Sequence, residues 1–153
     1  MELLVEAPIN GFRLNVLLTG TSSDSHVWNL VYMHLLLQEL GHDVLNLGCC
    51  TPDDLLLREA VRIAPDLVVV STVNGHGVND GARAVRLLRA EESLRGIPMV
   101  IGGKLGVAGS WRSEGVQTLL DAGFTAVFGD DELDLVLFGS FVDSVLKTRS
   151  RQR

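Results

Sequence analysis

Cysteine is scarce in this sequence, and the little there is stands together: Cys49 and Cys50 are adjacent in a chain of 153 residues. Neighbouring cysteines rarely meet disulfide geometry, and two thiols without a third or fourth nearby ligand do not make a zinc site. A reducing, cytoplasmic compartment fits that usage. Positive charge is also in deficit. There are 13 Lys and Arg against 19 Asp and Glu, a net charge of −6, so a nucleic-acid partner gains no electrostatic support. The basic end, Lys147 to Arg153, is the exception. It reads as a frayed tail whose cations suit a helix C-terminus. No apolar run approaches the roughly 20 residues of a membrane span. The start, MELLVEAPINGF, carries acids early and lacks the basic region of a secretory signal. Repeats, low-complexity blocks and linkers are missing too. The expectation is one domain over 1–153 with its core at about 13–148.

Several catalytic and nucleotide motifs are absent. No G-x-G-x-x-G joins the first strand to the first helix, which argues against a standard dinucleotide site. The glycine-rich GGKLGVAG is not a G-x-x-x-x-G-K-[ST] phosphate loop and follows the fourth strand instead of the first. There is no G-x-S-x-G nucleophile elbow. The first strand ends in TGTSSD without an acidic cluster, and TAVFG is not followed by lysine, so a receiver domain is weakly supported.

What is present alternates. Five apolar runs read as strands: LNVLLTG from Leu14, then DVLNLG, DLVVVST, PMVIGG and TAVFG. Five helical stretches separate or follow them. The first spans about Val27 to Leu40 and stops at Gly41. The second opens at TPDD, where Thr51 is placed to cap, Pro52 to sit first and Asp54 to close a capping box; it ends before Pro65. The third runs from about Asn79 to Leu94, with Arg83, Arg86 and Arg89 spaced as a solvated face. SEGVQTLLDAG and DDELDLVLFGSFVDSVLK are the fourth and fifth. Strands and helices in this alternation predict an α/β domain: a five-stranded parallel sheet with right-handed crossovers and helices on both faces. The flavodoxin-like (Rossmann-like) order 2-1-3-4-5 follows. Ligands in such sheets sit outside the carboxyl ends of the strands. The loops at 21–27, 71–77 and 102–109 should therefore share one site.

The first of these loops holds Asp24 and His26. An imidazole can ligate a metal through one nitrogen while a carboxylate fixes the other. A polar turn capping the helix through Ser25 or Asp24 would look the same, and one histidine is too few for a protein-only metal site. Any metal must arrive inside a cofactor. In the second loop, Ser71, Gly75 and Gly77 leave room for a bulky ligand near the backbone, with His76 at its mouth. In the third, Gly102, Gly103, Gly106 and Gly109 argue for close backbone approach, to a ligand or to a helix. Trp28 and Trp111 read as packing or rim residues.

Taken together, the loops resemble those of cobalamin-binding domains. Asp24-Ser25-His26-Val27-Trp28-Asn29 resembles their D-x-H-x-x-G motif, Ser71-Thr72-Val73 their S-x-L element, and Gly102-Gly103 their later G-G element. GHDVLNLG, PDLVVVSTVNGHG and VIGGKLGVAGS in particular resemble the small subunits of glutamate mutase (methylaspartate mutase), from about Leu14 to Leu146. The resemblance implies adenosylcobalamin, bound with its own base detached and His26 as lower axial ligand to cobalt. Asp24 would support His26, with Ser23, Ser25, Val27 and Asn29 around them. Ser71, Thr72, Val73, Gly75 and Gly77 would meet the buried end of the cofactor's nucleotide tail, and Gly102 and Gly103 would clear space for it. It further implies a large TIM-barrel mutase subunit as partner, holding a small amino-acid substrate, with no catalytic residue assigned to this chain and neither nucleic acid nor membrane involved. Two positions depart from the pattern: Asn29 stands at the glycine and Val73 at the leucine. Asn29 puts a side chain where the family keeps open space, to bond the tail or to narrow its groove. A corrinoid carrier and a flavodoxin-like interaction domain that has lost its cofactor are the other readings. The carriers usually add a helical cap before this domain, and only about a dozen residues precede the first strand here.

Overall fold

The computed structural model describes residues 11–106 and 111–153. Five parallel strands run in the order β2-β1-β3-β4-β5. They are β1 (Asn15–Thr19), β2 (Asp43–Asn46), β3 (Leu67–Thr72), β4 (Met99–Gly103) and β5 (Ala126–Phe128). The helices are α1 (Trp28–Glu39), α2 (Asp53–Ile63), α3 (Gly77–Ala90), α4 (Trp111–Ala122) and α5 (Glu132–Gln152). The expected fold class and strand order are those observed.

Strand alternation divides the core into two layers. Leu14, Val16 and Leu18, with Leu67, Val69 and Val100, pack against Leu30 and Leu37 of α1 and Phe138 and Val142 of α5. Leu17, Val68, Val70, Met99 and Ile101 face the other way, against Leu56 of α2, Val85 and Leu88 of α3 and Leu119 of α4. β3 is buried along its whole length. That is why LVVVST reads as a continuous apolar run rather than an alternating one.

Four local expectations are corrected. Thr51 does not cap α2: its hydroxyl donates to the Gly48 carbonyl at 2.9 Å, and extended Pro52 is the cap residue, so helical geometry starts one residue late. The third helix stops at Ala90, because Glu91 turns extended and accepts from the Ser93 N–H; a short 3-10 turn, Glu92–Leu94, follows. Arg89 is not a solvated residue. It donates to the carbonyls of Leu94 (3.0 Å), Arg95 (3.0 Å), Ile97 (2.8 Å) and Gly123 (2.9 Å), tying the end of α3 to the start of β5. The basic tail is also structured. α5 continues to Gln152, and Arg149 and Arg153 pair with the fully buried Asp66 at 3.0 and 3.3 Å. Asp66 in turn accepts the Asn15 N–H at 2.8 Å, so the C-terminus locks the lower ends of β1 and β3.

Candidate functional site: a carboxylate–imidazole pair beside an apolar groove

Parallel strands all end on one side, and the loop after β1 lies there beside the loops after β2 and β3. Asp24 is the meeting point. Its side chain is only 1% exposed. Its Oδ1 accepts the His26 backbone N–H at 3.0 Å and lies 2.7 Å from His26 Nδ1. Its Oδ2 accepts the Thr72 hydroxyl at 2.6 Å and the Val73 N–H at 2.7 Å. Its carbonyl accepts the Cys50 N–H at 2.9 Å. Burial alone would raise the carboxyl pKa. The donors from Thr72, Val73 and His26 outweigh it and lower the pKa to about 2.

The consequence for His26 is specific. An ionised carboxylate can only accept, so Nδ1 must carry the proton of the contact. Nε2 is then the ring nitrogen not turned to Asp24, on a side chain that is 50% exposed. Neither Ser25 nor Asp24 caps α1. Val27 occupies the cap position with no side-chain bond, so the polar-turn reading of the loop does not describe it. Asp24 is spent on orienting the imidazole, the arrangement that fixes the tautomer and raises the basicity of a ligating histidine.

Behind this pair, a groove of about 280 Å³ runs between the α1–α5 face of the sheet and the two helices. Ser71, Val73, Gly102 and Gly103 form its floor, and Trp28, Asn29, Tyr32, Met33, Phe128 and Phe138 its walls. Phe128 and Phe138 meet edge to face at 5.6 Å. Asp130, Asp131, Glu132 and Asp134 stand at the rim. The volume lies near the lower end of ligand pockets, about 300 Å³. The lining is apolar, yet Asn29 stands in it, 5% exposed. Its Nδ2 donates to Ser71 Oγ at 3.0 Å. Its Oδ1 is buried without a partner among the described residues.

Not every expected residue reaches this site. Ser23 bonds Asp80 and accepts from Asn74 Nδ2 at 3.0 Å, bracing the loop to α3. Ser25 and Val27 are exposed beside His26 and do not line the groove. Gly75 has φ +83 and turns the loop after β3. A Cβ at Gly77 would lie 2.7 Å from Leu105 and Thr72 side chains, so helix packing accounts for that glycine. At Gly103, φ is +117 and a Cβ would fall 2.1 Å from the Thr72 carbonyl. At Gly102 a Cβ would stand 3.4 Å from the Phe128 carbonyl. His76 is the exposed cap residue of α3. Gly109 and the side chain of Trp111 lie outside the described residues. Sequence reasoning missed the part played by Cys50 and the aromatic walls. A signal for the walls was present: α1, WNLVYMHLLLQE, is apolar all round, which an ordinary surface helix is not.

Comparison with known proteins places this chain in a family. The B12 binding domain family matches residues 14–134. The chain belongs to the B12 binding domain family. It is 31% identical over 121 residues to the glutamate mutase sigma subunit 1 of Haloarcula marismortui, 78% of this chain and 77% of that protein. It is 27% identical over 106 residues to the glutamate mutase sigma subunit of Fusobacterium nucleatum, 69% and 77% of the two chains. In fold it is similar to a cobalamin-binding protein from Desulfitobacterium hafniense, with TM-score 0.62 and 20% identity, spanning 76% of this chain but only about half, 53%, of that one. A chemotaxis protein, CheY4, from Vibrio cholerae shares the fold with TM-score 0.63 and 16% identity over 86% of this chain and 98% of that one. The sheet alone therefore does not separate B12 domains from receivers. The match to the B12 binding domain family and to the glutamate mutase sigma subunits does.

Proposed function

We propose that this chain is the cobalamin-binding subunit of an adenosylcobalamin-dependent carbon-skeleton mutase of the glutamate mutase type. It would act in the cytoplasm with a large TIM-barrel subunit that holds the amino-acid substrate. The observation that carries the reading is the locked Asp24–His26 pair, 2.7 Å apart, joined through the Val73 N–H to the floor of an apolar groove. His26 Nε2 would hold cobalt from below, and the groove would take the detached nucleotide tail. The residues fit that group: an imidazole whose Nδ1 is held by Asp24, an apolar slot for a flat base, and inside the slot an acceptor, Asn29 Oδ1, without a partner among the described residues. Bound adenosylcobalamin supplies a weak cobalt–carbon bond, the source of the radical that such rearrangements need. Asp24 keeps the Nδ1 proton in place, and Thr72 and Val73 hold Asp24.

The substrate belongs to the partner on electrostatic grounds. Arginines near the strand ends already face acids: Arg83 pairs with Asp53 and Asp80, and Arg112 with Asp131 and Asp134. The acidic rim at 130–134 would repel a dicarboxylic amino acid. Exposed apolar side chains stand on the two helices that wall the groove, Val31 and Leu35 on α1 and Leu133, Val136 and Leu137 on α5, which suits a covering partner. The test is to mix the purified chain with adenosylcobalamin, desalt, and record the visible spectrum. Retained colour with a base-detached, nitrogen-ligated spectrum, and rearranged product from a dicarboxylic amino acid only after the large subunit is added, are the expected results. Cobalamin that elutes apart from the protein overturns the reading. Turnover by this chain alone overturns the division of labour.

A further inference from the structure

The amide of Asn29 is the unusual group in the groove. Apart from the four acids at its rim, the groove is lined by apolar and aromatic side chains, glycines and a small hydroxyl, whereas Asn29 brings a carboxamide inside it, where Oδ1 finds no donor among the described residues. A buried acceptor left unmade is costly, so a side chain kept there in the apo protein implies a donor supplied from outside. The neighbour of Asn29 sharpens this. Ser71 Oγ accepts from Asn29 Nδ2, which uses one lone pair of the hydroxyl and leaves its hydrogen to donate. The end of the groove therefore presents two groups side by side: an acceptor, Asn29 Oδ1, and a donor, the Ser71 hydroxyl.

We infer that Asn29 and Ser71 read the terminal base of the tail, favouring a base with an exocyclic amine beside a ring nitrogen, as on an aminopurine. This rests on the cobalamin reading above and adds a base specificity to it. The complementarity is direct. The amine donates to Asn29 Oδ1, and the ring nitrogen accepts from Ser71. A dimethylbenzimidazole linked to its ribose through one nitrogen offers the ring acceptor but has no hydrogen on nitrogen. It satisfies Ser71 and leaves Oδ1 orphaned in a dry slot. Its two methyl groups also lie in the plane where an amide must fit. A donor could come instead from the ribose hydroxyl, which both kinds of corrinoid share, and the experiment separates these sources.

The experiment titrates the full-length chain with two cobalt corrinoids that differ only in the terminal base, 6-aminopurine or 5,6-dimethylbenzimidazole. Binding is followed by the visible spectrum and by equilibrium dialysis. The wild-type chain should bind the aminopurine corrinoid about fivefold tighter, the worth of one net hydrogen bond. Asn29→Leu, of the same branched shape and without an acceptor, should abolish or reverse that preference, and circular dichroism establishes that it folds. The wild-type preference needs no variant, so the inference stays exposed even if Asn29→Leu fails to fold. Equal affinities in the wild-type chain overturn base reading. Equal affinities that Asn29→Leu weakens alike assign the donor to the ribose hydroxyl and overturn it too, while leaving the cobalamin reading standing. Failure of both corrinoids to bind overturns the cobalamin reading and this inference with it.

Discussion

Asp24→Asn removes one charge and changes almost nothing in shape, yet the structure gives it nowhere comfortable to go. Each carboxylate oxygen accepts a backbone N–H, Oδ1 from His26 and Oδ2 from Val73. Whichever way the new amide turns, its NH₂ faces one of those N–H groups, donor against donor. The lost preference for the ionised form can be sized from the carboxyl pKa, lowered from 3.8 to about 2. That shift is worth about 2 kcal/mol of folding stability at neutral pH, and the donor–donor conflict adds about 1 kcal/mol or more. The total of about 3 to 4 kcal/mol corresponds to roughly 1–2 M in a urea midpoint. Its sign with pH follows from the direction of the shift. A carboxyl lowered on folding stabilises above its unfolded pKa and loses that contribution as pH falls toward its folded value. The gap between wild type and Asp24→Asn should therefore be widest at pH 5 to 7 and narrower by about 1 kcal/mol at pH 3. Urea unfolding followed by circular dichroism at pH 7, 5 and 3 measures it. Equal midpoints at pH 7, or a gap just as wide at pH 3, would refute the four-donor account of Asp24.

Thr72→Val deletes the 2.6 Å donor to Asp24 Oδ2 without changing side-chain shape. It should cost about 1–2 kcal/mol and move the Asp24 titration up from about 2 toward 3.8, read by carboxyl-carbon NMR. Arg149→Ala leaves buried Asp66 with less compensation. It should cost about 2 kcal/mol, seen as a fall in Tm of about 4–8 °C, whereas exposed Arg151→Ala should leave Tm within about 1–2 °C.

The parts of this protein that follow from periodicity were legible in its sequence. LVVVST could only be a strand covered on both sides, and it pairs with β1 and β4 at the centre of the sheet. Asp24 and His26 could be read from their spacing either as a pair or as a plain capping turn, and the loop that curls them together depends on Thr72, Val73 and Cys50. These lie 48, 49 and 26 positions away, and a local reading could not bring them to one carboxylate. Arg89 shows the same limit. Its spacing with Arg83 and Arg86 describes a helix face, while its role is set by four carbonyls beyond that helix. The glycines divide by cause. Gly103 is forced by the Thr72 carbonyl and Gly77 by packing against Leu105, reasons that composition alone does not separate from room for a ligand. Asn29 was visible as a departure from a motif, but its orphaned oxygen appears only once β3 and α1 are packed.

The central claim is that His26 Nε2, with its partner nitrogen held by Asp24, is the protein's ligand to cobalt. Electron paramagnetic resonance of the cobalt(II) form of bound cobalamin tests it most directly, because the axial nitrogen splits each cobalt line. In protein grown with ¹⁵N-labelled histidine and bound to unlabelled cobalamin, the account predicts that each triplet becomes a doublet, and that His26→Ala removes the nitrogen splitting while Ser25→Ala leaves it. A triplet that survives the labelling would mean that the cofactor keeps its own base on cobalt, and would contradict the account.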